Sequence, residues 1–326
     1  MSFIEVCAGA GGLSTGFIQA GLKPILLNEI DKTFCKTLET NHNGVTIIQK
    51  NMQDLSLIEY KGKVDILAGG VPCQAFSIAG ERKGLEDPRG KLMLDFNRLV
   101  NECMPKVLLI ENVKGLLNHN GGETIKSIIE LFENECKYKI SYKLLNANDY
   151  EVPQKRERVV IIGVRSDIKG SFVFPEKQNK KLLLKDVLMD VPISIGVIYS
   201  EAKRKIMELV PEGGCWIHLP DDIKRTYMGN SLEAGGGKRG MARRLSMNEA
   251  CLTLTTSPCQ KQTERCHPIE TRPLNVREYA RIQTFPDDYI FHGGMMMQYK
   301  QIGNAVPVRL AYFIGCQLKS LLSLIH

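Results

Sequence analysis

Short apolar runs alternate with segments of helical periodicity through the first half of the chain. The runs that predict buried strands cover residues 3–7, 25–29, 45–48, 64–68, 107–111, 138–145 and 159–164. Helical patterns lie between most of these runs, at 13–20, 32–41, 92–103 and 123–135. Such alternation predicts an α/β fold in which a mostly parallel sheet is covered by helices on both faces.

The pattern changes between residues 166 and 271, where lysine-rich and glycine-rich stretches replace regular periodicity. About a hundred structureless residues are rare inside one compact unit, so we predict a smaller, irregular second domain over 166–271. Periodicity then returns with predicted helices at 275–283 and 307–322. The predicted organisation is a first domain over 1–165, the second domain, and a segment over 272–326 that returns to the first.

The composition is that of a globular protein, since the 326 residues are 43% hydrophobic and 24% charged. No apolar stretch approaches the roughly 18–20 residues that cross a bilayer. The first residues enter a strand pattern without the basic start of a secretory signal. Ten scattered cysteines then suggest reduced thiols, and we expect a cytoplasmic protein. The net charge of +7 permits a polyanionic partner, although a solvated basic surface explains charge alone more simply.

One cysteine is in a position that favours chemistry over packing. Cys73 lies in the segment 69–77 (GGVPCQAFS), directly after the predicted strand 64–68. Ligands and catalytic groups collect where the strands of an open α/β sheet end, and Pro72 restricts the backbone just before the thiol. We therefore take Cys73 as a candidate nucleophile. The alternative is a small buried hydrophobe, the usual fate of a free cysteine.

A glycine-rich turn follows the first predicted strand and opens a helix, in the segment 6–12 (VCAGAGG). Glycines there let backbone N–H groups approach a ligand closely, although the spacing is not that of a dinucleotide fingerprint. Glu29 ends the second predicted strand, where an acid typically binds the ribose hydroxyls of an adenosine-containing cofactor. The alternative for Glu29 is an ordinary helix-capping carboxylate.

Charged residues also mark the end of the fifth predicted strand and the start of the seventh. Glu111 opens the segment 111–113 (ENV), where burial beside a cleft can make a glutamate a proton donor near neutrality. The segment 154–158 (QKRER) carries Arg156 and Arg158 at alternate positions, which point to one face of an extended chain. There they could hold a phosphate or a planar, oxygen-bearing ring. The alternative is a solvated charge run.

Together these segments resemble a DNA (cytosine-5)-methyltransferase. The motifs that carry the resemblance occur in order at 9–12, 72–74, 111–113, 154–158 and 303–307 (GNAVP), with further likeness at 272–274 and 285–288. Only the span from about 166 to 270 falls outside, and there this family carries a variable target-recognition domain. The resemblance thus implies a Rossmann-like S-adenosylmethionine-dependent catalytic domain, a target-recognition domain as the second domain, and a C-terminal segment that completes the catalytic domain.

The resemblance implies covalent catalysis on a cytosine extruded from the duplex. Carbon 5 of cytosine is too weak a nucleophile by itself, and addition of the Cys73 thiolate to carbon 6 activates it. Glu111 would contact ring nitrogen 3 and the exocyclic amine, and Arg158 would lie near the exocyclic oxygen. Arg156 belongs to the same catalytic set, in which it orders the site. For Gln154 a contact and a purely structural role stay equally open.

The cofactor implied is S-adenosylmethionine, lying over the glycine-rich turn with Glu29 on its ribose. Two departures from the family pattern predict weakened binding. Cys7 stands where an aromatic residue usually stacks on adenine, and Asn51 (or Asp54, in another alignment) stands where an acid is usual. Asn304 also resembles the asparagine that braces the Pro-Cys loop and the domain junction. The implied cofactor-binding set is Cys7, Ala8, Gly9, Gly11, Gly12, Glu29, Asn51, Met52, Gly70, Pro72, Leu92, Asn304 and Val306.

The partner implied is double-stranded DNA, held by two groups of residues. The first group belongs to a loop that closes over DNA and comprises Gln74, Ser77, Arg82, Lys83 and Arg89. The second lies in the recognition domain, where arginine can read guanine and other basic residues position the backbone: Arg239, Arg243, Thr253, Lys261 and Arg265, with Lys238, Arg244 and Gln262 as further candidates. No metal is expected, because Cys251, Cys259, Cys266 and His267 lack paired ligand spacing.

Three functions stay open at this point. The first is a bacterial or phage DNA methyltransferase, a monomer at the nucleoid that protects host DNA from a restriction endonuclease encoded nearby. The second is a transfer RNA cytosine-5 methyltransferase, against which the recognition span argues, because duplex readout needs such an insert. The third is a non-catalytic DNA-binding module, which the presence of Cys73, Glu111 and Arg158 disfavours.

Overall fold

The computed structural model describes residues 1–71, 88–233 and 240–324. Several predicted site residues lie outside the described residues, namely Pro72, Cys73, Gln74, Ser77, Arg82, Lys83, Lys238 and Arg239. Arg89 lies on a described helix, but its side chain is outside the description as well.

One seven-stranded sheet forms the centre of the described chain, and its strands are those that the sequence predicts. They are β1 (Ser2–Val6), β2 (Lys23–Glu29), β3 (Thr46–Gln49), β4 (Ile66–Gly69), β5 (Val107–Val113), β6 (Tyr138–Asn146) and β8 (Glu157–Arg165). A separate two-stranded ribbon pairs β7 (Gln154–Lys155) with β9 (Cys251–Leu252).

The strand order is β3-β2-β1-β4-β5-β8-β6. Neighbours from β3 to β5 are parallel, whereas β8 is antiparallel to both β5 and β6. The sheet is therefore mostly parallel, as predicted. Because β8 runs in reverse, its first residues lie at the same edge as the carboxyl ends of β1, β2, β4 and β5.

Helices flank the sheet, and five of the described helices lie in the second half of the chain. Within the described ranges the helices are α1 (Gly12–Gln19), α2 (Lys32–Asn41), α3 (Pro88–Cys103), α4 (Glu123–Asn134), α5 (Glu201–Glu208), α6 (Asp221–Met228), α7 (Val276–Ile282), α8 (Met295–Asn304) and α9 (Val308–Ser323). The sequence predicts six of these and misses α5, α6 and α8. None of the described helices is long and apolar enough to cross a membrane.

The central strands β1, β4, β5 and β8 are mostly buried on both faces, so they read as apolar runs, whereas the edge strands β3 and β6 are partly exposed. In β1, Phe3 belongs to the hydrophobic cluster that contains Phe17 of α1 and Ile314 of α9. Its neighbour Ile4 belongs to the cluster on the opposite face, with Phe96 of α3. The two clusters fix the sheet between two helical layers.

The span 166–271 does not form one uniform unit. Ile168 and Phe172 belong to the core cluster on one face of the sheet, and Leu184 packs with residues of α7 and α8. A small separate core appears further on, around Met207 and Leu219 with Trp216 against it. The predicted domain limits stay a prediction, but this separate core belongs to residues beyond about 199.

Candidate active site

A cleft of about 620 Å³ opens at the carboxyl edge of the sheet. Its walls come from the ends of β1, β2, β4 and β5, from the start of β8, and from segments 253–256 and 303–306. Ligands bind at this edge in open α/β folds. The lining residues within the described chain are Glu5, Cys7, Ala8, Gly9, Gly12, Leu13, Glu29, Phe34, Gly70, Val71, Glu111, Asn112, Val113, Arg156, Arg158, Thr253, Leu254, Thr255, Thr256, Gly303, Asn304, Ala305 and Val306.

Glu111 and Arg158 form an ion pair inside this cleft. The antiparallel register sets Val113 opposite Arg158 and Glu111 opposite Val160, so the two charged residues are diagonal neighbours on one face. Arg158 Nε lies 2.8 Å from Glu111 Oε1, and each side chain is 13% exposed. The pair offers a carboxylate acceptor beside a guanidinium donor, which suits a planar ring that carries both an N–H and a carbonyl.

Asn112 ties the active-site edge to the segment that leads to Cys73. Its Nδ2 donates to the carbonyl oxygen of Val71 over 2.7 Å, and both residues are buried. Cys73 itself lies outside the described residues, but the residue two positions before it is held against β5. Sequence reasoning quotes Asn112 only as part of a motif and assigns it no role.

Arg156 does not lie where the alternation of arginines predicts. Its side chain is 1% exposed, and its guanidinium donates to the carbonyl oxygens of Leu254 (3.1 Å), Gly303 (2.9 Å) and Ala305 (3.1 Å). Burial lowers the pKa of Arg156, and the neighbouring charge of Arg158 adds to this effect. These bonds join three chain segments at the wall of the cleft, and the place of Arg156 in the catalytic set, where it orders the site, stays a prediction.

Gln154 has the structural role that the sequence left open. Its Nε2 donates to Gln283 Oε1 over 2.8 Å, and its Oε1 accepts from Leu254 N over 2.9 Å. The Gln154 side chain is fully buried. Gln154 and Arg156 thus brace the wall of the cleft, whereas Arg158 pairs with Glu111 inside it.

Two glycines let the motif segments pack closely enough to form this wall. A Cβ at Gly12 would lie well inside van der Waals contact with the carbonyl oxygen of Val306, and one at Gly303 would meet that of Thr255 in the same way. The backbone of the 303–307 motif therefore contacts both the glycine turn and the 253–256 segment. A side chain at Gly12 or Gly303 would prevent this contact.

Glu29 binds backbone N–H groups at the edge of the cleft, whereas Asp31 caps α2, and contact of Glu29 with a ribose stays a prediction. Its carboxylate accepts from the backbone N–H groups of Gly9 (2.8 Å), Ile30 (2.8 Å) and Asp31 (3.0 Å), and it also lines the cleft. A carboxylate has about four acceptor positions, so one remains for a ligand hydroxyl. A Cβ at Gly9 would meet nothing within 4 Å, which leaves open space above the turn. These two observations fit an adenosine-containing cofactor.

The structure divides the predicted cofactor-binding set. The cleft is lined by Cys7, Ala8, Gly9, Gly12, Glu29, Gly70, Asn304 and Val306, whereas Gly11, Asn51, Met52 and Leu92 are not part of its described lining. Gly11 instead packs where a Cβ would contact Leu38 and His42. The Asn51 side chain accepts from Gln53 N and caps a short 3-10 turn.

Glu5 is a charged residue of the cleft that sequence reasoning misses. It lies next to the end of β1, is 3% exposed, and accepts a hydrogen bond from the Ser14 hydroxyl. Burial raises the pKa of Glu5 to about 8. A carboxylate within the apolar run FIEV is unusual in a strand buried on both faces, and that conflict was the available signal.

The recognition span places two predicted DNA contacts in its interior. Arg265 is 4% exposed and donates to the backbone carbonyls of Thr253 and Glu264, and Arg244 is buried with bonds to the carbonyl of Met207 among others. Their burial contradicts the expectation of a DNA-facing surface, because both side chains are enclosed by the fold and bond its carbonyl groups.

The remaining candidates of that span differ in exposure. Arg243 is half-buried and bonds Gly213 O and Glu249, whereas Lys261 and Gln262 are exposed. Thr253 lines the cleft, and its hydroxyl donates to the carbonyl of Lys155. Among the described residues, no group of three His, Cys, Asp or Glu side chains could hold a metal ion.

With this geometry established, comparison with known proteins identifies the class. The chain belongs to the C-5 cytosine-specific DNA methylase family, whose model matches residues 1–320. The chain is 50% identical over 332 residues to the Type II methyltransferase M.Eco47II of Escherichia coli, which covers 99% of this chain and 80% of the relative. It is 50% identical over 321 residues to the Type II methyltransferase M.Sau96I of Staphylococcus aureus, with 96% and 74% covered.

Solved structures agree with the family. One similar structure is a DNA modification methyltransferase encoded within an Escherichia coli prophage, with a TM-score of 0.73, 25% identity and 99% of both chains covered. The fold also matches DNMT2 of Spodoptera frugiperda, with a TM-score of 0.67, 18% identity, and 98% of this chain and 99% of that one covered. The sequence-based assignment of family, fold class and enzyme class is confirmed.

Proposed function

We propose that the protein transfers a methyl group from S-adenosylmethionine to carbon 5 of a cytosine flipped out of a specific double-stranded DNA sequence, through a transient bond between Cys73 and carbon 6. The observation that carries this proposal is the Glu111–Arg158 pair, held inside one cleft together with the glycine turn and Glu29. That cleft has room for a base and a nucleoside cofactor side by side.

The ion pair matches the edge of a cytosine. The carboxylate of Glu111 accepts from the exocyclic amine and, when protonated, donates to ring nitrogen 3, while Arg158 donates to the exocyclic oxygen. As the thiolate adds to carbon 6, the electrons of the 5,6 double bond move into the ring and toward carbon 5. Contacts that strengthen as this charge develops lower the barrier, because they stabilise the adduct more than the free base.

The contact made by Asn112 supports Cys73 as the nucleophile. Its bond to Val71 O anchors the backbone just before Pro72-Cys73 to the strand that carries Glu111. Val71 precedes Cys73 by two positions in the sequence. Methyl transfer to carbon 5, loss of the proton from that carbon and departure of the thiolate restore the aromatic ring and free Cys73.

The cofactor is S-adenosylmethionine, which supplies an electrophilic methyl group when it is bound. Glu29 keeps one acceptor position for a ribose hydroxyl, and Gly9 leaves space for the nucleoside above its backbone. Gly12 and Val306 close the far wall of the same cleft. The non-aromatic Cys7 weakens adenine stacking, and we expect moderate rather than tight cofactor affinity.

The cellular role follows from the relatives, which are named Type II methyltransferases. The protein modifies host DNA in the cytoplasm as a monomer at the nucleoid, and so protects that DNA from a cognate restriction endonuclease encoded nearby. The exposed Lys261 of the recognition span is a remaining candidate for DNA contact.

Bisulfite sequencing of DNA from cells that express the protein tests both the activity and the target sequence. Methylated cytosines in one short sequence context are expected, and their absence would refute the proposal. A parallel assay measures transfer of a labelled methyl group to duplex DNA and to transfer RNA. It distinguishes a DNA methyltransferase from the transfer RNA alternative.

A substituted duplex tests the covalent step. DNA with 5-fluorocytosine at the target position should form a stable conjugate with the protein when the methyl donor is supplied, since no proton can leave from carbon 5. Cys73→Ser should form none, while Cys316→Ser, on α9 outside the cleft lining, should behave as the unsubstituted protein. A conjugate with Cys73→Ser would show that another residue is the nucleophile.

A further inference from the structure

A second, smaller cleft of about 540 Å³ continues from the active-site cleft beyond Arg158. The two clefts share Val113, Arg158 and Thr253 as a common wall. The other residues that line the smaller cleft are Lys114, Gly115, Asn146, Lys155 and Glu157. A chain whose base occupied the larger cleft could therefore extend into the smaller one without a break.

The smaller cleft is rich in cations. Its lining holds Lys114, Lys155 and Arg158 but one carboxylate, that of Glu157, while Arg158 is paired with Glu111 across the shared wall. Lys155 is exposed and forms no ion pair with a described residue, whereas Lys114 Nζ lies 2.9 Å from Glu157 Oε2 with both side chains about half exposed. Such an exposed pair is weak, at about 0–1 kcal/mol, so an anion can compete for Lys114.

The backbone fixes Lys155 at the junction between the catalytic strands and the recognition span. Lys155 pairs with Leu252 in the β7–β9 ribbon, and the Thr253 hydroxyl donates to its carbonyl oxygen over 2.8 Å. The ribbon thus holds a free ammonium group beside the mouth of the active site. A lysine that only increased solubility would not need this fixed position.

Gly115 leaves room in the same cleft. A Cβ there would have only Val113 Cγ2 near it, at 4.0 Å, and the residue has no positive φ. Packing within the described protein therefore does not require glycine at this position. Open space next to three cations suits a tetrahedral anion that approaches the backbone closely.

We infer that this cleft holds the phosphodiester group next to the extruded cytosine, with Lys155 and Lys114 as its cationic contacts. The inference rests on the proposed function, since it needs a flipped base in the neighbouring cleft. The group attached nearest to such a base, through its sugar, is a phosphate of the same strand. An anchored phosphate would keep the nucleotide extruded and fix the ring against Glu111 and Arg158.

The first test is the salt dependence of binding to a duplex that carries the methylated sequence found by bisulfite sequencing. Removing one phosphate contact lowers the slope of log K against log salt by about one. Lys155→Ala should show this decrease. The matched control is Lys139→Ala, an exposed lysine at the opposite end of β6 from Asn146, whose slope should not change.

The second test locates the contact on the DNA. Methylphosphonate, which is uncharged, replaces single phosphates on either side of the target cytosine, and affinity is measured for each duplex. The unsubstituted protein should lose most affinity when the phosphate at one flanking position is replaced. Lys155→Ala should lose much less affinity for that replacement, and as much as the unsubstituted protein for every other replacement. Glu157→Gln should tighten binding, because it frees Lys114 for the anion.

The outcomes separate this inference from the proposed function. If no DNA is methylated or bound, the proposed function fails. A different outcome overturns only the phosphate site. In that outcome the protein methylates DNA normally, Lys155→Ala has the same salt slope as Lys139→Ala, and its methylphosphonate profile equals that of the unsubstituted protein. Thermal unfolding of each variant confirms that the exposed substitutions leave the fold intact.

Discussion

Replacing Glu5 with glutamine tests whether a buried acid makes stability depend on pH. The Glu5 carboxyl is 3% exposed in a strand that is covered on both faces, and burial raises its pKa from 4.5 to about 8. Glutamine has nearly the same shape and never ionises. Glu5→Gln therefore removes one titration from the folded protein and leaves the packing almost unchanged.

The sign follows from proton binding in the two states. Between pH 4.5 and pH 8 the folded protein keeps the Glu5 proton while the unfolded chain has lost it, so stability falls as pH rises through this window. The contribution is complete below pH 4.5 and is gone above pH 8. Each pH unit within the window is worth about 1.4 kcal/mol, so between pH 5 and pH 8 the loss is about 4 kcal/mol.

Urea denaturation of the cofactor-free protein at pH 5, 6, 7 and 8 measures this effect. Other titrating groups, such as His42, cancel in the difference between the unsubstituted protein and Glu5→Gln. That difference should move by about 4 kcal/mol in favour of the variant between pH 5 and pH 8. A difference that moves by less than about 1 kcal/mol would show that Glu5 ionises in the folded protein much as it does in the unfolded chain.

Three further predictions concern the walls of the cleft. Gly12→Ala should cost about 2 kcal/mol or more in unfolding free energy, because its Cβ would overlap Val306 O, whereas Gly115→Ala should stay within about 0.5 kcal/mol. Arg156→Lys should cost about 3 kcal/mol of stability, since one ammonium cannot serve three separated carbonyls. Arg158→Lys should keep the melting temperature but lower kcat in a methyl-transfer assay, and a full kcat would contradict its role.

The sheet could be predicted from the sequence because strands buried on both faces form continuous apolar runs. The reversed direction of β8 could not be predicted, since an apolar run such as VVIIGV does not indicate whether a strand is parallel or antiparallel to its neighbours. The helices α5 and α6 were missed because they are short and mostly polar. In α8, Met295 packs against the core whereas Met296 is 49% exposed, so its run of methionines gives no clear helical period.

The candidate site could be predicted where a motif residue faces the cleft at the end of its own strand, as Glu29 and Glu111 do. It could not be predicted where long-range packing decides. Arg156 and Arg158 alternate in sequence, but the chain leaves the β7–β9 ribbon and joins the main sheet at Arg156, which interrupts the period of two. The hydrogen-bond partners of Arg156 lie 98 to 149 residues away along the chain.

The burial of Arg156 has an electrostatic consequence beyond its structural role. Three carbonyl oxygens accept from its two terminal nitrogens, whereas the buried Nε has no partner among the described residues. Dipoles do not cancel a full charge, and the charge of Arg156 interacts with Arg158 and Glu111. Around Glu111 two guanidinium groups therefore act with one carboxylate, while Glu29 lies elsewhere in the same cleft. In a site of low dielectric the field of the Arg156 charge acts over several ångströms. It would favour the electron-rich ring that forms when Cys73 adds to carbon 6, and would do so without any contact between Arg156 and the base.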